Sequence, residues 1–260
     1  MSDRAAREPF RFLIPILLIL LVPMAHLTPT GVELMTRGWV MVAAGGAVFA
    51  IFMIVSGVRV STGGETDALA TVGWLMLVSY LLHQFEEHGV DLLGRPYAFM
   101  HFVNVVLAER FPDSEISLTE LSIYRINTLG VWVPFLLTIW AGRRLPWVGL
   151  AAAGLMLANA GLHIGAAMSL KEYNPGVGTA VVLFLPVSLA YFGAARRYAG
   201  VSLLAVGSGI AFGVVSHMVL PLGIEETAAL AWTPRMMAIF AVMMFAPLVG
   251  NIIHRVVVRV

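Results

Sequence analysis

The sequence predicts an all-α, polytopic membrane helix bundle: one membrane domain over 1–260, with about eight transmembrane helices. Three observations carry this. Of 260 residues, 59% are hydrophobic and 12% charged, about half the charged share of roughly 25% in soluble domains. The mean hydropathy is +0.88. The apolar residues also gather in runs near the roughly 20 residues that span a bilayer. A water-soluble fold lacks the polar surface to cover so much apolar area. A soluble enzyme, a nucleic-acid binder and a disordered regulator are therefore excluded. The net charge of +1 points to no polyanionic partner. With no cysteine in the chain, disulfides, thiolate metal sites and cysteine nucleophiles are excluded.

The first run, 12–28, follows Arg4, Arg7 and Arg11 and resembles a signal peptide. Pro23, Met24, Ala25 and His26 stand where small-x-small cleavage residues would be, so a retained helix is expected. The next runs are 39–59, 68–88, 126–142, 147–168, 177–195, 200–220 and 236–254. One long connection, 89–125, includes a polar stretch at 109–115, and its front half, 96–108, reads as a short interfacial or re-entrant helix. Counting arginines places both termini inside, because the pairs Arg143/Arg144 and Arg196/Arg197 follow the fourth and sixth helices.

On that topology the polar residues gather at the outer end. His83, Glu86, Glu87 and His88 end the third helix, and His101 and Asn104 follow. Asn127 begins the fourth; Asn159 and His163 lie late in the fifth, with Tyr173 and Asn174 in the loop after it. His217 ends the seventh, and Glu225 and Glu226 come next. Only Asn251, His254 and arginine ends mark the inner half. A carboxylate at membrane depth costs about 2.5–3.5 kcal/mol on insertion scales, so such residues are paired or functional.

The sharpest pattern is His83-Gln-Phe-Glu86-Glu87. At about 100° per residue, positions i+3 and i+4 straddle the face of residue i, so both glutamates flank His83 and His88 points elsewhere. One imidazole and two carboxylates make half of a zinc or iron site. Asn159 and His163, four apart, share a face; His163 is the expected ligand from a second helix and Asn159 a hydrogen-bonding group. Gly154, Gly161 and Gly165 let a neighbouring helix approach. The turn Tyr173-Asn-Pro-Gly176 can aim a hydroxyl and an amide back into a pocket. The 14 methionines show no Met-x-x-Met clustering and read as packing.

These residues resemble the HXXEE family of multi-pass membrane proteins. The resemblance rests on His83-Gln-Phe-Glu86-Glu87, Asn159-x-x-x-His163 and Tyr173-Asn-Pro-Gly176 followed by Thr179-Ala180, and covers about 75–190. It implies a multi-helix membrane fold and singles out His83, Glu86 and Glu87, with no reaction attached. The helix pair at about 200–254, with His217, Glu225 and Glu226, lies beyond it.

The residues point to a membrane-embedded, metal-dependent enzyme acting on a lipid or other hydrophobic molecule. In the favoured hydrolytic form one divalent metal, zinc before iron, is held by His83, His163 and Glu86 or Glu87. The other glutamate is general base on metal-bound water, and Asn159 or Tyr173 stabilises developing charge. A di-iron oxidative form would recruit His101, His217, Glu225 and Glu226, but the order His-x-x-Glu reverses the ferritin-like Glu-x-x-His. A proton-coupled transporter is the alternative in another class, although no inverted repeat supports it. A structural or assembly role is the third. Expected partners are membrane lipid and a hydrophobic substrate, no nucleic acid, in the bacterial cytoplasmic membrane.

Overall fold

The computed structural model describes residues 25–55, 61–62, 65–112, 117–220 and 246–256. Most of the predicted first helix, the pair Glu225/Glu226 and the front of the last run lie outside these residues. The described chain is all-α apart from a two-residue antiparallel ribbon, Ser61–Thr62 with Glu65–Thr66. Its long helices are α1 (Pro29–Val55), α2 (Ala68–His88), α4 (Glu120–Arg144), α5 (Pro146–Leu170) and α6 (Val177–Ala199). A shorter helical stretch, α3, covers 98–110, α7 is Leu203–Val219, and 246–256 is helical. Among the described residues, five helices are long and apolar enough to cross a membrane.

Two boundaries differ from the hydropathy reading. α1 starts at Pro29 rather than near 39, because Thr28 caps it: its hydroxyl accepts from Gly31 N at 3.0 Å. Glu33 and Arg37 are simply polar members of the first turns. α4 starts at Glu120 rather than 126, set by a capping box in which Thr119 and Ser122 exchange hydrogen bonds of 3.1 and 2.9 Å. The predicted short helix at 96–108 is present as α3.

The helices alternate in direction, and their end contacts define two ends of the bundle. At one end Asp67 caps α2, accepting from Leu69 N and Ala70 N at 3.0 and 3.1 Å, and also takes Arg143 N at 3.0 Å. The pairs Arg143/Arg144 and Arg196/Arg197 sit at that end. The end of α2 at His88, the start of α6 and His163 gather at the other.

Two π-helical stretches have a visible cause. Ile126–Trp132 precedes Pro134, and Ala180–Phe184 precedes Pro186. A proline donates no hydrogen bond and crowds the carbonyl four residues back, so the preceding turn widens. A third stretch, Phe102–Leu107, has no such proline.

α5 and α7 meet along a glycine seam. A Cβ at Gly154 would stand 1.8 Å from Gly209 O, and one at Gly213 2.0 Å from Gly154 O, so the backbones touch. Gly161 and Gly165 are exposed and meet nothing within 4 Å among the described residues, so of the three glycines expected to admit a neighbour only Gly154 meets one there. The core of Trp39, Met76, Leu77, Tyr124, Phe135, Leu150, Met156, Phe184 and Tyr191 fills the interior. Leu34, Met41, Val48 and Phe52 project outward from α1, as expected of a lipid-facing surface.

Candidate metal centre

α2 and α5 bring together His83, Glu87 and His163, whose ligand atoms all lie within 4.8 Å of one another. The three side chains are 0–6% exposed. His163 Nε2 stands 2.9 Å from Glu87 Oε1, and His83 Nε2 3.4 Å from Glu87 Oε2. Aromatic rings close the site: Phe184 lies 4.2 Å from the His83 ring, and Phe99 5.9 Å from the His163 ring.

The surrounding hydrogen bonds fix the tautomers. Asn174 Nδ2 donates to His163 O at 2.8 Å, which turns its Oδ1 toward His163 Nδ1 at 2.7 Å. That oxygen only accepts, so His163 carries its hydrogen on Nδ1. Thr179 Oγ1 donates to Glu86 Oε2 at 2.5 Å, because a carboxylate only accepts. Its oxygen therefore accepts from His83 Nδ1 at 2.8 Å. Both imidazoles thus direct Nε2 lone pairs at one carboxylate. His83 Nε2 is buried without a hydrogen-bond partner. A proton on His163 Nε2 would satisfy that contact and leave His83 unsatisfied; a cation satisfies all three. Outward-facing Nδ1 hydrogens held by fixed acceptors are the arrangement that aims a histidine at a metal.

Glu86 is built into the fold instead. Its Oε1 accepts from Tyr173 Oη at 2.9 Å and Gly178 N at 3.1 Å, and its Oε2 from Thr179 N at 2.7 Å as well as the Thr179 hydroxyl. It caps the N-terminus of α6, where the free amides and the helix dipole favour an anion. With four donors on two oxygens it is not directed at the cluster, so the motif's two glutamates divide: Glu87 faces α5, and Glu86 fastens α6 to α2.

Gly176 forms the remaining wall. Its φ is +96°, and a Cβ there would stand 2.8 Å from Glu87 Cγ, His163 Cε1 and His83 Cε1. A side chain would collide with all three members of the cluster.

The other expected site residues fall in several places. Tyr173 donates to Glu86 and accepts from Leu92 N at 3.1 Å, tying the loop before α6 to the end of α2. Burial and the bond to Glu86 push its phenol well above the ordinary value. Asn174 touches the cluster by holding His163. Asn159 lies one turn before His163, its buried Oδ1 without a partner. Asn104 joins α3 to the chain entering α4 through two 2.8 Å bonds with Leu118. His101 is exposed, and His217 Nδ1 is 2.8 Å from Gly213 O of its own helix. Neither belongs to the three-residue cluster.

Four participants were missed by spacing. His88, discounted because it points away from the His83 face, has its Nε2 3.3 Å from Glu87 Oε2, because the glutamate side chain swings between them. Gln84 donates to Asn127 Oδ1 at 2.9 Å and accepts from Trp132 Nε1 at 2.7 Å. Asn127 Nδ2 stands 3.4 Å from His88 Nε2, so a buried polar chain runs from α4 to the cluster. The fourth is Thr179, for which a hydroxyl three residues after the glycine turn was the available signal. His88 also lines a cleft with Thr36, Arg37, Trp39, Tyr97 and Glu120. The cleft reaches the cluster only through His88; His83, Glu87 and His163 do not line it.

No curated protein and no solved structure matches the chain. Residues 74–191 match the model of a family described as "protein of unknown function with HXXEE motif". That stretch, 118 of the 260 residues, is similar to the family and holds His83, Glu86 and Glu87 together with the α5 and α6 residues that partner them.

Proposed function

We propose that this is a metal-dependent membrane enzyme with a single divalent metal, zinc before iron, held by His83, Glu87 and His163. The observation that carries the reading is the convergence of two Nε2 lone pairs on one buried carboxylate, with both Nδ1 hydrogens already committed outward. When bound, such a metal supplies a water whose pKa falls toward about 7. The protein does the rest. Thr179 and Asn174 hold the imidazoles, and the backbone of Gly176 with Phe184 and Phe99 keeps bulk water away. Asn159 keeps an unpaired amide oxygen on the His163 helix. Glu86, saturated by four donors, is a positioning residue in this scheme rather than the general base expected from spacing.

The substrate class is a lipid or another hydrophobic molecule, and the reaction a hydrolysis. The apolar outer surface, the five span-length helices and a cleft that meets His88 support access from the bilayer. A single metal is favoured over two irons because Glu87 alone among the described carboxylates joins the cluster. The expected setting is the bacterial cytoplasmic membrane, with the site at its outer face. A buried ion pair between His163 and Glu87 is the second reading, favoured by their 2.9 Å separation.

Metal analysis of the detergent-purified protein, beside His83→Ala and Glu87→Ala, tests this. About one equivalent in the wild type and none in either folded variant is expected. A folded wild-type preparation without stoichiometric metal overturns the proposal and leaves the ion pair.

A further inference from the structure

A second cluster sits where α4 begins, on residues that the metal centre does not use. Arg125 is 9% exposed, and its Nε is buried with no hydrogen-bond partner. It makes no ion pair with any described carboxylate. The neighbouring Tyr124 is fully buried and its hydroxyl has no partner. His26 stacks on the Tyr124 ring at 4.7 Å, with Nε2 3.4 Å from Thr128 Oγ1 and a buried Nδ1 that has no hydrogen-bond partner among the described residues. Three buried polar atoms on neighbouring residues are thus unsatisfied, and the one formal charge among them is positive.

An arginine only 9% exposed, with an unpaired Nε and no anion beside it, is a costly residue for a fold to carry, and in membrane segments such residues pair with something. We propose that Arg125, with Tyr124 and His26, binds a phosphate-type oxyanion: the headgroup phosphate of a membrane lipid or free phosphate. Guanidinium and phenol both donate to such oxygens, and the guanidinium matches phosphate as a planar fork. The depth favours the lipid. Arg125 lies five residues into α4, about 7.5 Å from its start at 1.5 Å per residue. That is near the depth of the headgroup layer, about 5–7 Å thick on each face of a bilayer.

The test uses the full chain purified in detergent and measures affinity for short-chain phosphatidylglycerol, for diacylglycerol with the same chains, and for inorganic phosphate. The wild type should bind phosphatidylglycerol at least tenfold tighter than diacylglycerol. Arg125→Met should abolish that preference, and Tyr124→Phe should reduce it several-fold. If millimolar inorganic phosphate displaces the lipid, the oxyanion itself is the ligand; if it does not, the ligand is the lipid, and both results support the site. In anion-free detergent Arg125→Met should melt no lower than the wild type, since it removes an unpaired charge. An Arg125→Met protein that keeps the preference, a wild type that shows none, or an Arg125→Met protein that fails to fold without anion would overturn the site.

Discussion

Gly176→Ala is the sharpest test of how the cluster is walled. The added methyl would meet Glu87 Cγ, His163 Cε1 and His83 Cε1, each at 2.8 Å, where ordinary contact begins near 3.4 Å. Three neighbours on two helices would each have to retreat by about half an ångström. They are 0–5% exposed and fixed by Thr179 and Asn174, so none can turn aside freely. Two costs combine. Alanine in a left-handed conformation costs about 1–2 kcal/mol. Overpacking a filled site costs about 1–3 kcal/mol. A total loss of about 2–5 kcal/mol follows, read as a lower unfolding midpoint in detergent. Metal content should fall with it, because the same displacement spreads the three ligands. Gly193→Ala is the internal control: it lies within α6, meets nothing within 4 Å, and should be neutral or slightly stabilising. A Gly176→Ala protein that melts like the wild type and keeps its metal would refute the reasoning, since the wall would then not be tight.

Four further outcomes are expected. Thr179→Val removes the acceptor for His83 Nδ1 and should weaken metal affinity about 10–100-fold in a competition titration, with Thr179→Ser restoring it. Glu86→Gln replaces a carboxylate that accepts four hydrogen bonds and should lower stability by about 1–3 kcal/mol in a melting series, while the folded fraction keeps its metal. Gln84→Leu strands Trp132 Nε1 and Asn127 Oδ1 in the core; a loss of about 2–4 kcal/mol is expected by chemical unfolding. Asp91 is raised by burial but held lower overall by hydrogen bonds from Arg95 and Leu93. Its stabilisation of the loop after α2 is present above the ordinary carboxyl range and lost as pH falls through its lower value. Asp91→Asn should flatten that acid-side change in a pH-melting series.

The fold class was legible because hydropathy and helix length answer to the same solvent. The runs 68–88, 147–168 and 177–195 match α2, α5 and α6 to within a few residues. The starts of α1 and α4 were not, because Glu33, Arg37 and Arg125 lowered the local hydropathy although Thr28 and Thr119 already marked caps. At the centre, spacing placed His83 beside both glutamates and His163 on a second helix. It could not divide the glutamates, because that depends on the neighbour each one faces: α5 for Glu87 and the amides of α6 for Glu86. His88 was passed over for the same reason. Helix angle locates a Cα, and a glutamate side chain reaches several ångströms sideways from its own.

The bond between Glu86 and the amides of α6 bears on how the chain is made. Its partners are 92 and 93 residues apart, so α2 leaves the ribosome well before α6 exists. At about 5–20 residues per second, the carboxylate waits roughly 5–20 s for its donors. During that interval the end of α2 carries two acidic groups whose later partners are unmade, which favours holding it at the lipid–water boundary or beside the insertion machinery. Once α6 is made, its amides can take Glu86 out of water. The last of the bonds that fasten the end of α2 is therefore available only after the start of α6 has been synthesised.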